Sequence, residues 1–197
     1  MVMQQKFPLE TISQHTIEEL YLPSLEQLIR TAVGQEAEIC WFDWRTRSSD
    51  KAKTRFPKGT KIHLDDRSIN LEPVQAVHVG ETSRPLLLSI GFAAMLGIER
   101  KNFSRDDVWR PSGDPIESHP LAVMDGSTVT DEKLVEVDVV RHSYIGESYY
   151  PLQHDAYKWY FINNQTKEDV LLFKMYDSAE GVRAKCEANL ASACGRI

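Results

Sequence analysis

The sequence predicts a mostly β fold, a β-sandwich or barrel with helices packed outside it. Three observations carry this. After about residue 70, short runs rich in β-branched and aromatic residues recur at close spacing, with turn residues between them. No helix-length segment separates the later runs, so parallel βαβ winding is excluded. Helical periodicity is concentrated near the start of the chain.

The elements follow in order. Thr16 with Glu19 three residues later offers a capping box. Pro23 starts a fresh turn, and Leu25, Leu28, Ile29 and Ala32 keep helical spacing until Gly34 stops the run. Residues 37–44 are apolar and aromatic and read as a strand, and 45–59 as a charged, mobile loop. A strand is expected at 74–79, a second helix at 85–96, and a segment leading out of it at 98–104. Further strands are expected at 107–110, 121–124, 135–140, 159–162 and 170–175.

The 197 residues are 42% hydrophobic, enough for a real core and for one domain over 1–197. Lys and Arg number 23 against 29 Asp and Glu, a net charge of -6 with no basic run, which argues against a nucleic-acid binder. No stretch approaches the roughly 18 apolar residues of a membrane span. Cys40, Cys186 and Cys194 lack metal spacing, and the N-terminus has no apolar signal core. A cytoplasmic protein is expected.

Four words then occur in a fixed order: Val108-Trp109-Arg110-Pro111, Pro120-Leu121-Ala122-Val123-Met124-Asp125, Lys158-Trp159-Tyr160-Phe161, and the run from Glu168 to Ser178. Together they resemble a fungal family of secondary-metabolite hydroxylase/desaturase-like proteins, related to a component of cephamycin methoxylation. The resemblance implies a double-stranded β-helix (jelly-roll, cupin-like) of the iron(II)/2-oxoglutarate oxygenase type, with this chain N-terminally short relative to the family. Such sites hold iron with two His and one carboxylate. The first pair is an H-x-D word, whose period-two geometry turns both side chains to one face. A distal His comes from a late strand, and an Arg beyond it grips the 2-oxoglutarate carboxylate.

The chain departs from that pattern at the metal positions. The H-x-D word reads His78-Val79-Gly80, Glu187 stands where the late His would be, and Tyr157 takes the His place of the aromatic word. The expectation is therefore an enzyme with no cofactor and no metal, with degenerate positions at His78, Gly80 and Glu187. It would carry out a cyclisation, isomerisation, dehydration or pericyclic step on a small natural product. The alternative is an iron(II)/2-oxoglutarate-dependent hydroxylase/desaturase with unusual ligands, or a non-catalytic partner of an active homologue.

Each candidate side chain has a bland and a functional role. His78 is either a hydrogen-bonded core histidine, a general acid/base, or a residual metal ligand. Arg110 either anchors an ion pair at a sheet edge or holds a carbonyl or anionic oxygen. Tyr157 donates a proton or hydrogen bond to substrate. Strand alternation gives it a face in common with Trp159, which packs the core or lines the substrate site with Trp109. Lys174 either snorkels at a strand end or faces the cavity near Asp177, where desolvation makes it an acid or base. Asp125 and Asp177 either cap turns or line the substrate site. An exposed sheet edge would favour a homodimer.

Overall fold

Helix formation begins before the predicted capping box. In the computed structural model Ser13 is the N-cap: it accepts from the Thr16 amide at 3.1 Å while Thr16 bonds back to the Ser13 amide at 2.9 Å. Thr16 is thus the return partner of a box one turn earlier. Helix α1 (Gln14–Thr16) runs through a π-helical turn, Ile17–Tyr21, into α2 (Leu22–Val33). Of the predicted face, Leu25 and Ile29 are buried on α2, Leu28 is half-buried and Ala32 is exposed, and Leu22 joins the buried side. Gly34 ends it at φ 117°, a conformation that a side chain would disfavour. The structure describes residues 1–6, 12–41, 43–63, 66–67, 69–81, 104–140, 145–177 and 188–191.

The chain divides into two compact units. The first comprises residues 1–73, 109–119 and 164–172. In it β1 (Val2–Gln4) lies antiparallel to the start of β8 (Asp169–Asp177), with Met3 opposite Val170. The strand expected at 37–44 does not form among its described residues. Its tryptophans are bound to the helix instead: Trp41 donates to Glu26 at 3.1 Å and Trp44 to Glu18 at 3.0 Å. The charged loop after them folds a short helix, α3 (Lys51–Thr54), capped by Asp50 and anchored by a 2.8 Å ion pair from Lys51 to Glu72.

The second unit comprises residues 74–108, 120–163 and 173–197. Its six-stranded sheet has the order β5-β6-β2-β9-β4-β7, every assigned pair antiparallel. The strands are β2 (His78–Glu81), β4 (Leu121–Met124), β5 (Leu134–Val140), β6 (Ile145–Pro151), β7 (Trp159–Phe161) and β9 (Ala188–Ala191). β3 (Ser104–Trp109) is hydrogen-bonded to β8. Met124, 1% exposed, is the centre of this unit's core, with Val77, Val129, Leu134, Tyr149 and Tyr157 packed against it. Burying such a side chain stabilises by roughly 1.5–3 kcal/mol. The strand expected at 74–79 is shorter and later, because 74–77 stay irregular. The helix expected at 85–96 lies outside the described residues.

The expected β-rich architecture is present, with few helices. Among the described residues no helix is long and apolar enough to cross a membrane.

Candidate functional site

Strand β2 begins at His78, and the preceding residue, Val77, packs on Met124. His78 itself is half-buried. His78 Nδ1 lies 3.1 Å from the Ala76 carbonyl oxygen. A carbonyl oxygen only accepts, so Nδ1 carries a proton, and a neutral ring so held has its lone pair on Nε2. This is the arrangement that a metal-binding imidazole adopts when a backbone carbonyl fixes its tautomer. Gly80 brings no donor, and it falls where the pairing of β2 with β6 shifts register. Glu187 lies outside the described residues.

The Tyr157 ring packs on Met124 and lies 5.5 Å, tilted, from the His154 ring. Its hydroxyl is buried with no hydrogen-bond partner among the described residues, and desolvation pushes the phenol pKa up. Tyr157 precedes β7 and sits in a turn, so strand alternation does not set its face. Trp159 lies on β7 opposite Met124 and is 38% exposed. Asp125 caps the turn at 126–128, accepting from the Ser127 amide at 3.0 Å and the Ser127 hydroxyl at 2.6 Å. Those bonds hold its carboxyl below the usual range.

Lys174 pairs with the buried Asp177 on β8. Asp106 on β3 belongs to the same cluster and was not singled out from the sequence. Burial pushes its carboxyl up, and Asp177 adds repulsion, while Ser104, donating at 2.6 Å, and Lys174 act the other way. The available signal was the Asp106-Asp107 pair in a strand, since alternation must turn one of two adjacent carboxylates inward.

Arg110 belongs to the first unit. It donates to Gln5 Oε1 at 2.9 Å, to the Gln5 carbonyl at 2.7 Å and to the Lys167 carbonyl. Its guanidinium lies 5.6 Å from the centre of the Tyr21 ring. Trp109 Nε1, beside it in sequence, is buried without a hydrogen-bond partner. Of the candidates, then, Lys174 and Asp177 are joined, while Trp109 and Arg110 fall in a different unit from His78, Tyr157 and Lys174. Among the described residues no group of three His, Cys, Asp or Glu is placed to hold a metal ion.

A family model described as "YDMC: Oxidoreductase/YMDC permease-like domain" matches residues 2–193. The chain belongs to this family. Its relatives are fungal oxygenases of the hydroxylase/desaturase kind. The Fe(II)/2-oxoglutarate-dependent dioxygenase nvfI of Aspergillus novofumigatus is 27% identical over 162 residues, 80% of this chain and 53% of that protein. The alpha-ketoglutarate-dependent dioxygenase tstK of Talaromyces stipitatus is 28% identical over 81% of this chain and 56% of its own length. The hydroxylase/desaturase efuI of Hormonema carpetanum is 26% identical over 90% and 64%. The chain thus spans between about half and two thirds of these relatives. The solved structure of the iron and alpha-ketoglutarate-dependent endoperoxidase NvfI superposes with a TM-score of 0.78 at 23% identity, covering 100% of this chain and 71% of that one. The fold is similar to that oxygenase.

These findings correct two expectations. A cofactor-free cyclase or isomerase does not fit a chain whose relatives are named for iron(II) and 2-oxoglutarate, and neither does the assignment of no cofactor. Both expectations came from departures at single sequence positions, Gly80, Glu187 and Tyr157. A ligand set is a set of positions in space, and a word assumes regular strand geometry between its letters. A neutral His78 ring held through Nδ1 would offer Nε2 to a metal.

Proposed function

We propose that this chain carries the iron(II)/2-oxoglutarate site of an oxygenase of the hydroxylase/desaturase class, acting on a small natural product. The observation that carries the proposal is the His78 Nδ1 bond to the Ala76 carbonyl, which leaves Nε2 as a donor on the strand where the family's first metal ligand stands. The names of the relatives support the cofactor pair, and the likeness to NvfI supports closure of the sheets into a double-stranded β-helix. When bound, iron(II) with 2-oxoglutarate would activate dioxygen, the oxidant that breaking an unactivated C–H bond requires. His78 would hold the metal through Nε2, while the Ala76 carbonyl keeps its ring oriented. A cytoplasmic location suits such an enzyme, because reducing conditions keep ferrous iron and the free Cys40 thiol reduced.

Anaerobic reconstitution with iron(II) tests the proposal. Stoichiometric iron, and succinate formed from 2-oxoglutarate on admission of oxygen, are expected. Iron that washes off the protein with no succinate formed would overturn it.

A further inference from the structure

The chain carries a net charge of -6, yet between residues 51 and 63 it has five Lys or Arg and no acidic residue. This segment belongs to the first unit, and all of its residues except Thr54 are exposed. Lys51 is paired with Glu72, while Lys53, Lys58 and Lys61 have no ion pair among the described residues. A turn follows α3: the Thr60 amide donates to the Pro57 carbonyl at 3.0 Å, with Gly59 at φ 93°. A side chain at Gly59 would meet nothing within 4 Å, so the turn projects into open space. Beyond it Lys61, Ile62 and His63 are exposed and outside any ladder, with Ile62 41% exposed.

Strand β5 is the chemical complement of this segment. It ends the six-stranded sheet and, among the described residues, pairs with β6 alone. Its outer row of amides and carbonyls is open to another strand. Edges of this kind are usually blunted by a lysine, a proline or a bulge. The seven residues of β5 contain neither Lys nor Pro, and their register with β6 is unbroken. Val135 and Val137, 42% and 39% exposed, alternate with exposed Glu136 and Asp138, and Asp131 and Glu132 precede them. Asp138 stands directly opposite Glu147 on β6, so like charges face each other there. Two copies of β5 are poor partners for one another, because an antiparallel register centred on Val137 sets Glu136 against Asp138.

We propose that β5 of one copy takes up residues 61–63 of a second copy as an added strand, so that the chain self-associates through an acidic edge and a basic segment. The period of two matches on both sides. With Ile62 opposite Val137, Lys61 meets either Glu136 or Asp138 and His63 meets the other, whichever way the added strand runs. The charged side chains then share one face of the sheet, and Ile62 and Val137 the other. Lys53, Arg55 and Lys58 add positive charge beside the contact, which steers the encounter. A second copy fits better than nucleic acid or an anionic membrane, which the overall charge of -6 repels and which lack the alternation of β5. This association is independent of the iron(II) proposal.

The test is sedimentation velocity of the full chain at micromolar concentration. It is run at about 0.01 M and about 1 M ionic strength, between which the screening length falls from about 30 Å to about 3 Å. Three proteins are compared: the unaltered chain, Lys58→Glu with Lys61→Glu, and Glu136→Lys with Asp138→Lys. All four positions are exposed, and circular dichroism checks that each variant folds. The unaltered chain is expected to associate in low salt and to dissociate as salt rises. Each variant alone should associate more than about 100-fold more weakly, because like charges are then brought face to face. An equimolar mixture of the two variants should regain the association, since the acidic segment of one meets the basic edge of the other. If a charge reversal unfolds the chain, Lys61→Gln and Asp138→Asn, made singly, should each weaken association and carry the same test. An unaltered chain that stays monomeric in low salt overturns the proposal, and so does an association that the variants leave unchanged or a mixture of folded variants that does not recover. A monomer that binds duplex DNA or phosphatidylserine vesicles through Lys58 and Lys61 would assign the segment to that partner instead.

Discussion

Arg110 and His78 are both polar side chains at strand ends, and the structure uses them in opposite ways. Three donated hydrogen bonds and a tyrosine ring surround Arg110, and these partners, Gln5, Lys167 and Tyr21, lie within its own unit. Among the described residues His78 makes one hydrogen bond, to a carbonyl two residues away, through Nδ1 and not Nε2. A side chain saturated by its own fold fastens structure. A side chain oriented by its fold, with an acceptor still open, is prepared for a ligand. Substitutions sharpen the contrast by separating loss of stability from loss of binding.

The largest stability effect is expected at Arg110. Arg110→Ala removes the three bonds and the ring contact together and should cost about 2–4 kcal/mol, since bonds from a charged donor contribute about 1.5–3 kcal/mol each and are not additive. Chemical denaturation checks this, and iron(II) affinity of the folded fraction should not change. A loss of metal affinity with stability intact would reverse the roles assigned to Arg110 and His78.

Lys174→Met comes next. Asp177 is buried, and removing its cationic partner leaves a carboxylate poorly solvated. Breaking a fully buried pair costs about 3–5 kcal/mol; Lys174 is itself partly exposed, so about 2–3 kcal/mol is expected. An unchanged denaturation midpoint would mean that Asp177 is held by its other contacts.

How much of this was legible in the sequence depends on whether a residue's role is local or set by its neighbours. Helix α2 was readable because Leu22, Leu25 and Ile29 follow one face, and β4 because Leu121–Met124 is a short apolar run beside turn residues. The strand expected at 37–44 failed because Trp41 and Trp44 found carboxylate partners on the helix, and aromatic content alone cannot distinguish a ladder from a packed loop. Strand β6 was missed: Gly146 and Pro151 are residue types that weaken a strand, yet it pairs with β5 along its whole length. For the candidate site, His78 was visible, but the register shift beside it was not. A bulge is a relation between two strands and appears in one sequence only as a glycine.

Asp106 offers a smaller, pH-dependent effect. Its carboxyl is raised by burial, so the folded state binds its proton more tightly than the unfolded chain does. The stabilisation from this protonation is fully present below the unfolded value near 3.8 and is lost as pH rises through the raised folded value. Asp106→Asn should therefore raise the thermal midpoint at pH 7 by roughly 2–4 °C, a shift worth about 1 kcal/mol in a chain of this size. It should also flatten the fall in stability that begins above pH 4. A lower midpoint at pH 7 would show that the charged form is the one stabilised, through Lys174.

Tyr157 should give the smallest stability change and the clearest separation of structure from function. Its ring is packed on Met124, so the ring itself must be kept. Its hydroxyl is buried and unpartnered, which makes it a net cost to the folded state. Tyr157→Phe keeps the ring and removes only that oxygen, so stability should stay level or rise by up to about 1 kcal/mol. If the hydroxyl is retained in order to donate to a bound substrate, turnover should fall while iron(II) affinity and the denaturation midpoint hold. The raised phenol pKa keeps the hydroxyl protonated well beyond neutral pH, so the loss should be the same across the neutral range. Full turnover by the Phe variant would make Tyr157 a packing residue and leave the substrate without a donor at this position. A drop in stability of more than about 1 kcal/mol would show instead that the hydroxyl is bonded in solution, most simply through a water.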